Sequence, residues 1–320
     1  MTQVVSFGAH IADALGWPFT AVPPGQQLAL LERIEFTVAG TAAAPAVNLA
    51  KLGVDVSAVG CIGADAIGGF LRTTMDAHGV HTEHLRVQRA LQTSASLLPI
   101  RRDGSRPALH VIGANAALSE DDVPWDLVAG ADVFHLGGAF VLPGLDGAPM
   151  ARVLQHAKEL GVTTTVDFLM SPRPDAQQLI APSLPHVDYL LPNIEEAGWL
   201  VGSEDRGTIL RWLHDHGVGC TVLTLGGDGV SVARDAGSEQ VLPAFAVDVV
   251  DTTGCGDAFT AGFISGLLEG MDELAAAERG LACGSLTATG LGSNAGIVDL
   301  AQVEGFRSSA ARATRPERTD

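Results

Sequence analysis

Short apolar runs alternate with amphipathic stretches along most of this 320-residue chain, and that alternation limits the folds open to it. A run of about four to eight apolar and β-branched residues is typical of a buried strand, whereas apolar residues at helical spacing indicate a helix packed on one side. Strands that alternate with helices build βαβ units, in which helices cover both faces of a parallel sheet. The sequence therefore predicts an α/β fold with a mainly parallel central sheet.

The predicted buried strands share β-branched composition, and they are VVSFG (4–8), VSAVG (56–60), DVFHLGG (132–138), TTTVDF (163–168), DYLLPN (188–193) and TVLTLGG (221–227). Two helices are predicted over 147–161 and 204–217, and each ends at a glycine, which is a common helix stop. Ligands of open parallel sheets bind beyond the carboxyl ends of the strands. A functional site is therefore expected at that edge.

Two segments break the alternation. Residues 14–38 contain no long helical pattern, and residues 93–112 predict two strands around the turn at 102–105. Such segments are typical of antiparallel strands added to a main domain. We expect one domain over residues 1–306 that includes these segments as a small antiparallel sheet, followed by a polar C-terminal tail over 307–320.

The charge of the chain excludes one large class of function. The formal net charge is −18, whereas a protein that binds nucleic acid needs a basic surface. No apolar run reaches the length of about 18 residues that spans a membrane, and the N-terminus lacks a signal-peptide pattern. The four cysteines form no CxxC pair, which argues against a structural zinc or a disulfide framework. We expect a cytoplasmic protein that acts on a small molecule, without nucleic-acid or membrane partners.

The stretch DTTGCGDAF (251–259) carries the strongest functional signal. Gly254 and Gly256 allow the backbone to turn its N–H groups toward an anion, and an apolar helix predicted to begin at Asp257 adds partial positive charge there. A carboxylate beside an anion site suggests phosphoryl transfer, in which the acid accepts the proton of the acceptor hydroxyl. The helix end is expected to keep Asp257 ionised and weakly basic. From this stretch alone, the alternative is that Asp257 merely caps the helix.

Other nucleotide-binding signatures are missing from the sequence. The chain contains no GxxxxGK[ST], and it contains neither the HRD nor the DFG motif of protein kinases. GGDG (226–229) is not a GxGxxG, and it lacks the acid about 20 residues later that a dinucleotide site uses. The sequence therefore favours a phosphotransferase of another class.

The sequence resembles the ribokinase-like (PfkB) family of small-molecule kinases over nearly its whole length. DTTGCGD is close to the family signature DTxGAGD, and the resemblance implies that Asp257 is the catalytic base. By the same resemblance, the anion hole consists of the backbone N–H groups of Gly254, Cys255 and Gly256. The NxxE motif of the family appears as NIEE, in which Asn193 and Glu196 would support Mg²⁺ and its water ligands. Taken singly, this pair could instead cap a short helix.

The resemblance also implies positions for ATP, for a cation and for the substrate. TLGGDG (224–229) is similar to the segment that lines the nucleotide in the family, and the candidate ATP-binding residues are Thr224, Gly226, Gly229 and Asn294. Asp251 matches an acid that helps to bind a monovalent cation such as K⁺. Asp13, in GAHIAD, matches the acid that binds substrate hydroxyls, and Gly40 is a second candidate for substrate contact. The segments at 14–38 and 93–112 correspond to a substrate lid, which often also forms a homodimer surface.

The chain departs from the family pattern near the substrate. Where a Gly-Gly pair is followed shortly by an Asn-containing pair, this sequence reads AGTAAAPAVNLAKLG, with Ala39 for the first glycine and Ala44-Pro45 for the pair. The missing amide removes a hydrogen-bonding group for a sugar hydroxyl. Cys255 replaces a smaller residue, and its position at a helix start predicts a lowered thiol pKa and a reactive thiolate.

We therefore expect an ATP- and Mg²⁺-dependent kinase that phosphorylates a primary hydroxyl of a sugar or sugar-like compound. A nucleoside kinase is one alternative, and a non-catalytic binding or regulatory protein of the same fold is another. Three arginines crowd the turn of the second lid segment, either as an ordinary charged turn or as contacts for an anionic substrate; they are Arg101, Arg102 and Arg106.

Overall fold

The chain folds into a large and a small β-sheet with helices around them, in a computed structural model that describes residues 2–102, 104–171 and 173–313. The strands are β1 (Val4–Gly8), β2 (Ile11–Trp17), β3 (Arg33–Ala39), β4 (Val56–Gly63), β5 (His81–Gln88), β6 (Ala95–Pro99), β7 (Leu109–Val111), β8 (Val133–Ala139), β9 (Thr163–Phe168), β10 (Tyr189–Leu190), β11 (Cys220–Thr224), β12 (Val230–Ala233) and β13 (Gln240–Leu242). The helices are α1 (Ala43–Lys51), α2 (Ala66–Ala77), α3 (Trp125–Val128), α4 (Ala148–Glu159), α5 (Ala176–Ile180), α6 (Ile194–Val201), α7 (Arg206–Asp215), α8 (Cys255–Leu268), α9 (Glu273–Thr287) and α10 (Leu300–Ser309). Within the described ranges, no helix has the length and hydropathy needed to cross a membrane.

The large sheet is mainly parallel, as the sequence predicts. Its strands lie in the order β13-β12-β11-β10-β9-β8-β1-β4-β5. Every neighbouring pair from β11 to β5 is parallel, and β12 and β13 add antiparallel strands at one edge. Each predicted buried strand is present in this sheet. The carboxyl ends of its parallel strands meet at one edge, where a ligand site is expected.

Helices cover both faces of the large sheet. Successive side chains of a strand point to opposite faces, so neighbouring residues of β1 belong to different cores. Val5 and Phe7 pack in a core with α4, α6 and α7, whereas Val4 packs in a second core with α1, α8 and α9. A strand that is buried on both faces reads as a continuous apolar run, which explains why the sequence predicted these strands well.

The small sheet, which we call the lid, contains β3, β2, β6 and β7 in that order. The β2–β3 and β6–β7 pairs are antiparallel, and the central β2–β6 pair is parallel. Residues paired directly across strands share a face. The outer face carries Ala14, Phe36, Leu97 and Leu109, and the inner face carries Asp13, Thr37, Ser96 and His110. The two faces therefore differ in chemistry, one apolar and the other polar.

The C-terminal segment is more ordered than an aperiodic tail from residue 307. Helix α10 continues to Ser309, and beyond it Arg312 forms an isolated bridge with Phe245. Arg307 and Arg312 both form ion pairs with Glu278 of α9, and the Arg312 guanidinium lies over the Phe245 ring. These contacts hold the chain against the domain past residue 306. Residues 314–320 of the expected tail lie outside the described residues.

Candidate active site

Helix α8 begins with backbone N–H groups that no side chain caps. Its N-cap is Gly254, whose φ of 75° is left-handed backbone. A Cβ at Gly254 would lie 2.3 Å from the Cα of Ser293, whereas a Cβ at Gly256 would meet nothing within 4 Å. The turn therefore requires glycine at 254, and the space beside Gly256 is open. Uncapped N–H groups and the positive end of the helix dipole together fit an anionic group such as a transferring phosphoryl.

The observed start of α8 changes the interpretation of Asp257. The sequence predicted a helix that begins at Asp257, but the helix begins two residues earlier, at Cys255, because the left-handed conformation of Gly254 sets the cap. Asp257 is the third residue of the helix and does not cap it. The capping alternative is therefore wrong, and the carboxylate of Asp257 is available to a ligand.

The surroundings of Asp257 make it more basic than an ordinary aspartate. Burial, with the carboxylates of Asp13 and Glu196, raises the pKa of Asp257 to about 7, although the guanidinium of Arg106 opposes the change. The expectation of a weakly basic Asp257 is wrong, because desolvation and neighbouring acids outweigh the dipole of α8. A carboxylate whose pKa lies near neutrality suits general-base catalysis.

Two further acids lie at the carboxyl ends of neighbouring strands. Asn193 and Glu196 form a reciprocal cap at the start of α6, in which the Glu196 N–H donates to Asn193 Oδ1 at 2.8 Å and the Asn193 N–H donates to Glu196 Oε2 at 3.0 Å. Burial raises the pKa of Glu196 to about 7. Asp167, near the end of β9, is buried, and burial with the charges of Glu196 and Asp257 raises its pKa well above the usual range.

These acids fit a divalent cation that is held indirectly. Carboxylate and amide oxygens suit Mg²⁺, and its charge would offset the repulsion among Asp167, Glu196 and Asp257. In the described part of the chain, no three His, Cys, Asp or Glu side chains are close enough to hold a metal ion by themselves. Mg²⁺ keeps several waters in proteins and binds with substrate phosphates, so Asn193 and Glu196 would act through its water ligands.

Asp167 is a functional candidate that the sequence analysis missed. Its signal was present, because Asp167 is the next-to-last residue of the predicted strand TTTVDF, near the carboxyl edge of the sheet. β9 pairs with β10, and β10 leads into the NIEE segment, so Asp167 lies on a strand next to the expected metal site. An acid at the carboxyl end of a strand beside a predicted metal motif should therefore be added to the candidates.

The candidate nucleotide segment follows β11, beside the NIEE motif. Thr224 forms an isolated parallel bridge with Asn193, which brings the two predicted sites together. Gly226 is exposed, and a Cβ there would meet nothing within 4 Å. Gly229 has a φ of 108°, and a Cβ there would lie 1.9 Å from the carbonyl oxygen of Leu242. Gly226 therefore borders open space, while glycine at 229 is required by backbone packing.

Asp251 and Asn294 have partners within the protein. Asp251 is buried and accepts hydrogen bonds from the N–H and hydroxyl of Thr253 at 3.0 and 2.7 Å and from the N–H of Gly292 at 2.9 Å. Asn294 Oδ1 accepts from the hydroxyl of Thr37 at 2.9 Å. These bonds join the segment before α10 to the lid and to the turn before α8. The cation role of Asp251 and the nucleotide role of Asn294 stay predictions.

Asp13 places a buried carboxylate on the inner face of the lid. Burial raises its pKa to about 6, against the opposing effects of a hydrogen bond from Ser96 and the charge of Arg106. Gly40 lies at the end of β3 with a φ of 91°, and a Cβ there would lie 2.5 Å from the carbonyl oxygen of Ala9. The backbone therefore requires glycine at 40. Ala44 is fully buried in the first turn of α1.

Cys255 does not have the thiolate character that its position at a helix start predicts. Burial and the charge of Asp251 raise the pKa of the Cys255 thiol to about 12, with a smaller contribution from Asp257 and an opposing one from Arg106. The prediction of a lowered pKa is wrong, because the helix dipole is outweighed by desolvation and by two acids. The thiol is neutral at physiological pH, and the backbone N–H of Cys255, which donates to the Thr252 carbonyl oxygen at 3.4 Å, stays the group predicted for the anion site.

This fold, with buried acids at the carboxyl ends of the parallel strands, is that of a small-molecule kinase. The chain belongs to the pfkB family of carbohydrate kinases, whose model matches residues 1–299. It is thus a carbohydrate kinase of ribokinase-like fold, as the sequence predicted.

Relatives of known name agree with this assignment. The ribokinase of Haemophilus influenzae is 30% identical over 281 residues, which cover 86% of this chain and 88% of that protein. The ATP-dependent ribose-1-phosphate kinase of Halopiger xanaduensis is 34% identical over 258 residues, which cover 78% of this chain and 79% of that protein. Among solved structures, the ribokinase of Arabidopsis thaliana complexed with ribose and ATP matches with a TM-score of 0.83 and 25% identity, over 97% of this chain and 100% of that one.

Proposed function

We propose that this enzyme transfers the γ-phosphoryl group of ATP to a hydroxyl of a sugar or sugar-containing compound bound between the lid and α8. The observation that carries the proposal is the near-neutral carboxyl of Asp257 beside the uncapped N–H groups at 254–256, with Asp13 of the lid close to it. The names of two relatives, a ribokinase and a ribose-1-phosphate kinase, support an acceptor that contains ribose.

The residues of the site divide the reaction between them. Asp13 accepts hydrogen bonds from acceptor hydroxyls and positions the acceptor. Asp257 accepts the proton of the attacking hydroxyl. The oxygen of that hydroxyl forms a bond to the γ-phosphorus while the bond between the γ-phosphorus and the leaving ADP oxygen breaks. The backbone N–H groups of Gly254, Cys255 and Gly256 stabilise the negative charge of the transferring group. A primary hydroxyl is the least hindered acceptor for this in-line geometry.

The remaining candidates would serve the nucleotide and its ions. Mg²⁺ bound with ATP neutralises charge on the β- and γ-phosphates. Asn193 and Glu196 would hold its water ligands, and the charge of the ion would favour the ionised form of Asp167, whose pKa burial and neighbouring acids raise. The residues proposed to contact ATP are Thr224, Gly226, Gly229 and Asn294. The proposed role of Asp251 is to support a K⁺ site at the turn before α8.

We also propose that a second copy of the chain covers the outer face of the lid. Phe36, Leu97 and Leu109 on that face are 64%, 60% and 64% exposed. They line an apolar hollow of about 660 Å³. A large exposed apolar surface is typical of an interaction site. In a two-fold symmetric dimer, the lid of a second copy would present the same apolar surface to it. Light scattering should give a dimer mass for the wild type and a monomer mass for Leu97→Asp, and a wild-type monomer would contradict this.

The proposed activity is tested by ADP release with a panel of acceptors. Ribose, ribose 1-phosphate, fructose and adenosine are each offered with ATP and Mg²⁺. Acceptor-dependent ADP release with a sugar supports the proposal, whereas release with adenosine alone would support the nucleoside-kinase alternative. Acceptors that bind without ADP release would support a non-catalytic binding protein.

A further inference from the structure

The loop that joins β6 to β7 carries an arginine that has no hydrogen bond or ion pair to any other residue the structure describes. Arg101 donates a hydrogen bond to the Ser105 hydroxyl at 3.2 Å, and Arg102 forms an ion pair with Glu32 at 2.5 Å. Arg106 is exposed and makes no hydrogen bond or ion pair with any residue that the structure describes. The three arginines of this turn therefore differ, because Arg106 alone keeps its donors free in the described structure.

The loop that carries Arg106 starts beside the segment that bonds to the turn before α8. The loop begins at Ile100, which is fully buried against Leu15, Leu98 and Leu291. Leu291 precedes Gly292, whose N–H donates to Asp251 at the turn before α8. The hairpin is therefore packed against the segment that supports the anion hole.

The loop returns to the lid next to Asp13, the carboxylate that is proposed to bind the acceptor. It enters β7 just before His110, whose Nδ1 lies 3.0 Å from the Ser96 hydroxyl. Ser96 is the direct strand partner of Asp13. The positive charge of Arg106 also lowers the pKa of Asp13, Cys255 and Asp257, which places the guanidinium near the acids on both sides of the substrate space.

We propose that the acceptor carries an anionic group, a phosphate monoester or a carboxylate, and that Arg106 binds this group beside Ser96 and His110 on the inner face of the lid. The inference rests on the proposed function, since it concerns the acceptor of the same site. A guanidinium pairs with phosphate or carboxylate through two parallel hydrogen bonds. Its five N–H donors can bind such an anion without backbone N–H groups.

The charge balance of the site favours this role for Arg106. Asp13, Asp257 and Glu196 would repel an anionic acceptor, and a nearby cation is needed to offset that repulsion. A neutral sugar needs no such cation, because carboxylate and hydroxyl groups satisfy its hydroxyls. The other anion in the site is the triphosphate of ATP, so the test must separate the acceptor from the nucleotide.

The test compares sugars with related compounds that carry an anionic group. Steady-state kinetics would be measured with ribose against ribose 1-phosphate, and with glucose against gluconate, for the wild type, Arg106→Gln and Arg106→Lys. Arg102→Gln is the matched control, because it removes the same charge from the same turn. We expect Arg106→Gln to lower kcat/KM for the preferred anionic acceptor by about 10- to 100-fold, as for a lost charge-assisted hydrogen bond. The kcat/KM of Arg106→Lys for this acceptor should lie between those of the wild type and Arg106→Gln, and that of Arg102→Gln should equal the wild-type value.

The outcomes separate the inference from the proposed function. Equal losses on neutral and anionic acceptors, or a raised KM for ATP alone, would overturn the role of Arg106 while leaving the kinase activity intact. Calorimetric binding of ribose 1-phosphate and gluconate without nucleotide decides the matter independently of turnover. Binding of one anion by the wild type that is lost in Arg106→Gln supports the proposal and identifies phosphate or carboxylate, and no binding of either anion contradicts it. No ADP release with any acceptor would contradict the proposed function instead.

Discussion

The carboxylate of Asp13 on the lid lies close enough to that of Asp257 at the start of α8 to raise the pKa of Asp257. The two residues are 244 positions apart in sequence (257 − 13), and only the docking of the lid over the large sheet brings them together. The lid therefore contributes to the basicity of the candidate base.

The first prediction concerns the pH dependence of the reaction. Asp257 has a raised pKa of about 7, so it becomes protonated and loses its role as a base when the pH falls through that value. We expect kcat/KM for the acceptor to fall about tenfold per pH unit below neutrality. Asp13→Asn removes one cause of the shift, so the acid limb of its profile should move to lower pH. A wild-type profile that stays flat down to pH 5 would contradict this account.

The second prediction concerns Glu196 and the magnesium requirement. Glu196→Gln should raise the Mg²⁺ concentration for half-maximal rate by about 10- to 100-fold, the usual cost of a lost outer-sphere ligand. The melting temperature should stay unchanged, because glutamine also completes the reciprocal cap with Asn193. Glu195→Gln is the matched control, since its side chain is exposed. If Glu196→Gln shows the wild-type Mg²⁺ dependence, Glu196 is not part of the metal site.

The third prediction compares the glycines of the anion hole. Gly256→Ala adds a methyl group to open space, so the protein should keep its melting temperature while kcat falls by at least about tenfold through obstruction of the phosphoryl site. Gly254→Ala forces a Cβ into Ser293 at a left-handed φ, so it should also lower stability by about 1–3 kcal/mol. Full activity of Gly256→Ala would show that the transferring group does not lie there.

The fourth prediction follows from the raised pKa of Cys255. A neutral thiol is a poor nucleophile, so iodoacetamide should inactivate the enzyme slowly at neutral pH. Cys255→Ala should keep the turnover of the wild type, because only the backbone N–H of this residue faces the anion site. Rapid inactivation that ATP prevents and that Cys255→Ala abolishes would mean that the nucleotide-free enzyme holds a thiolate there.

The sequence predicted the elements whose signals are local. Buried strands such as β1 and β9 are short runs rich in apolar and β-branched residues, and the glycine at 254 is required by the left-handed turn that starts α8. The edge strand β5 (His81–Gln88) was missed, because its polar residues HTEHLRVQ lack such a run and only scattered positions are buried. Because many side chains of an edge strand are exposed and polar, its sequence resembles that of a loop.

Properties that depend on distant residues were not predictable from the sequence. The sequence predicted low pKa values for Cys255 and Asp257, but the structure raises both. The start of a helix can be read from the sequence, whereas burial and the approach of distant acids cannot. The role of Asp167 likewise depends on strand order, which places β9 beside β10. The sequence offered Arg101, Arg102 and Arg106 equally as contacts for an anionic substrate, and only the partners that the structure gives Arg101 and Arg102 distinguish Arg106 from them.

The most direct test of the account is the turnover of Asp257→Asn with the acceptor that gives the highest wild-type rate. The substitution keeps the size of the side chain and removes its ability to accept the proton. We expect kcat to fall by about 10²- to 10⁴-fold, as for loss of a positioned base, while calorimetry shows unchanged ATP binding. Asp248→Asn, at an exposed acid in the segment that precedes the turn, should keep the wild-type rate. A kcat of Asp257→Asn within a few-fold of the wild type would contradict the assignment of Asp257 as the catalytic base.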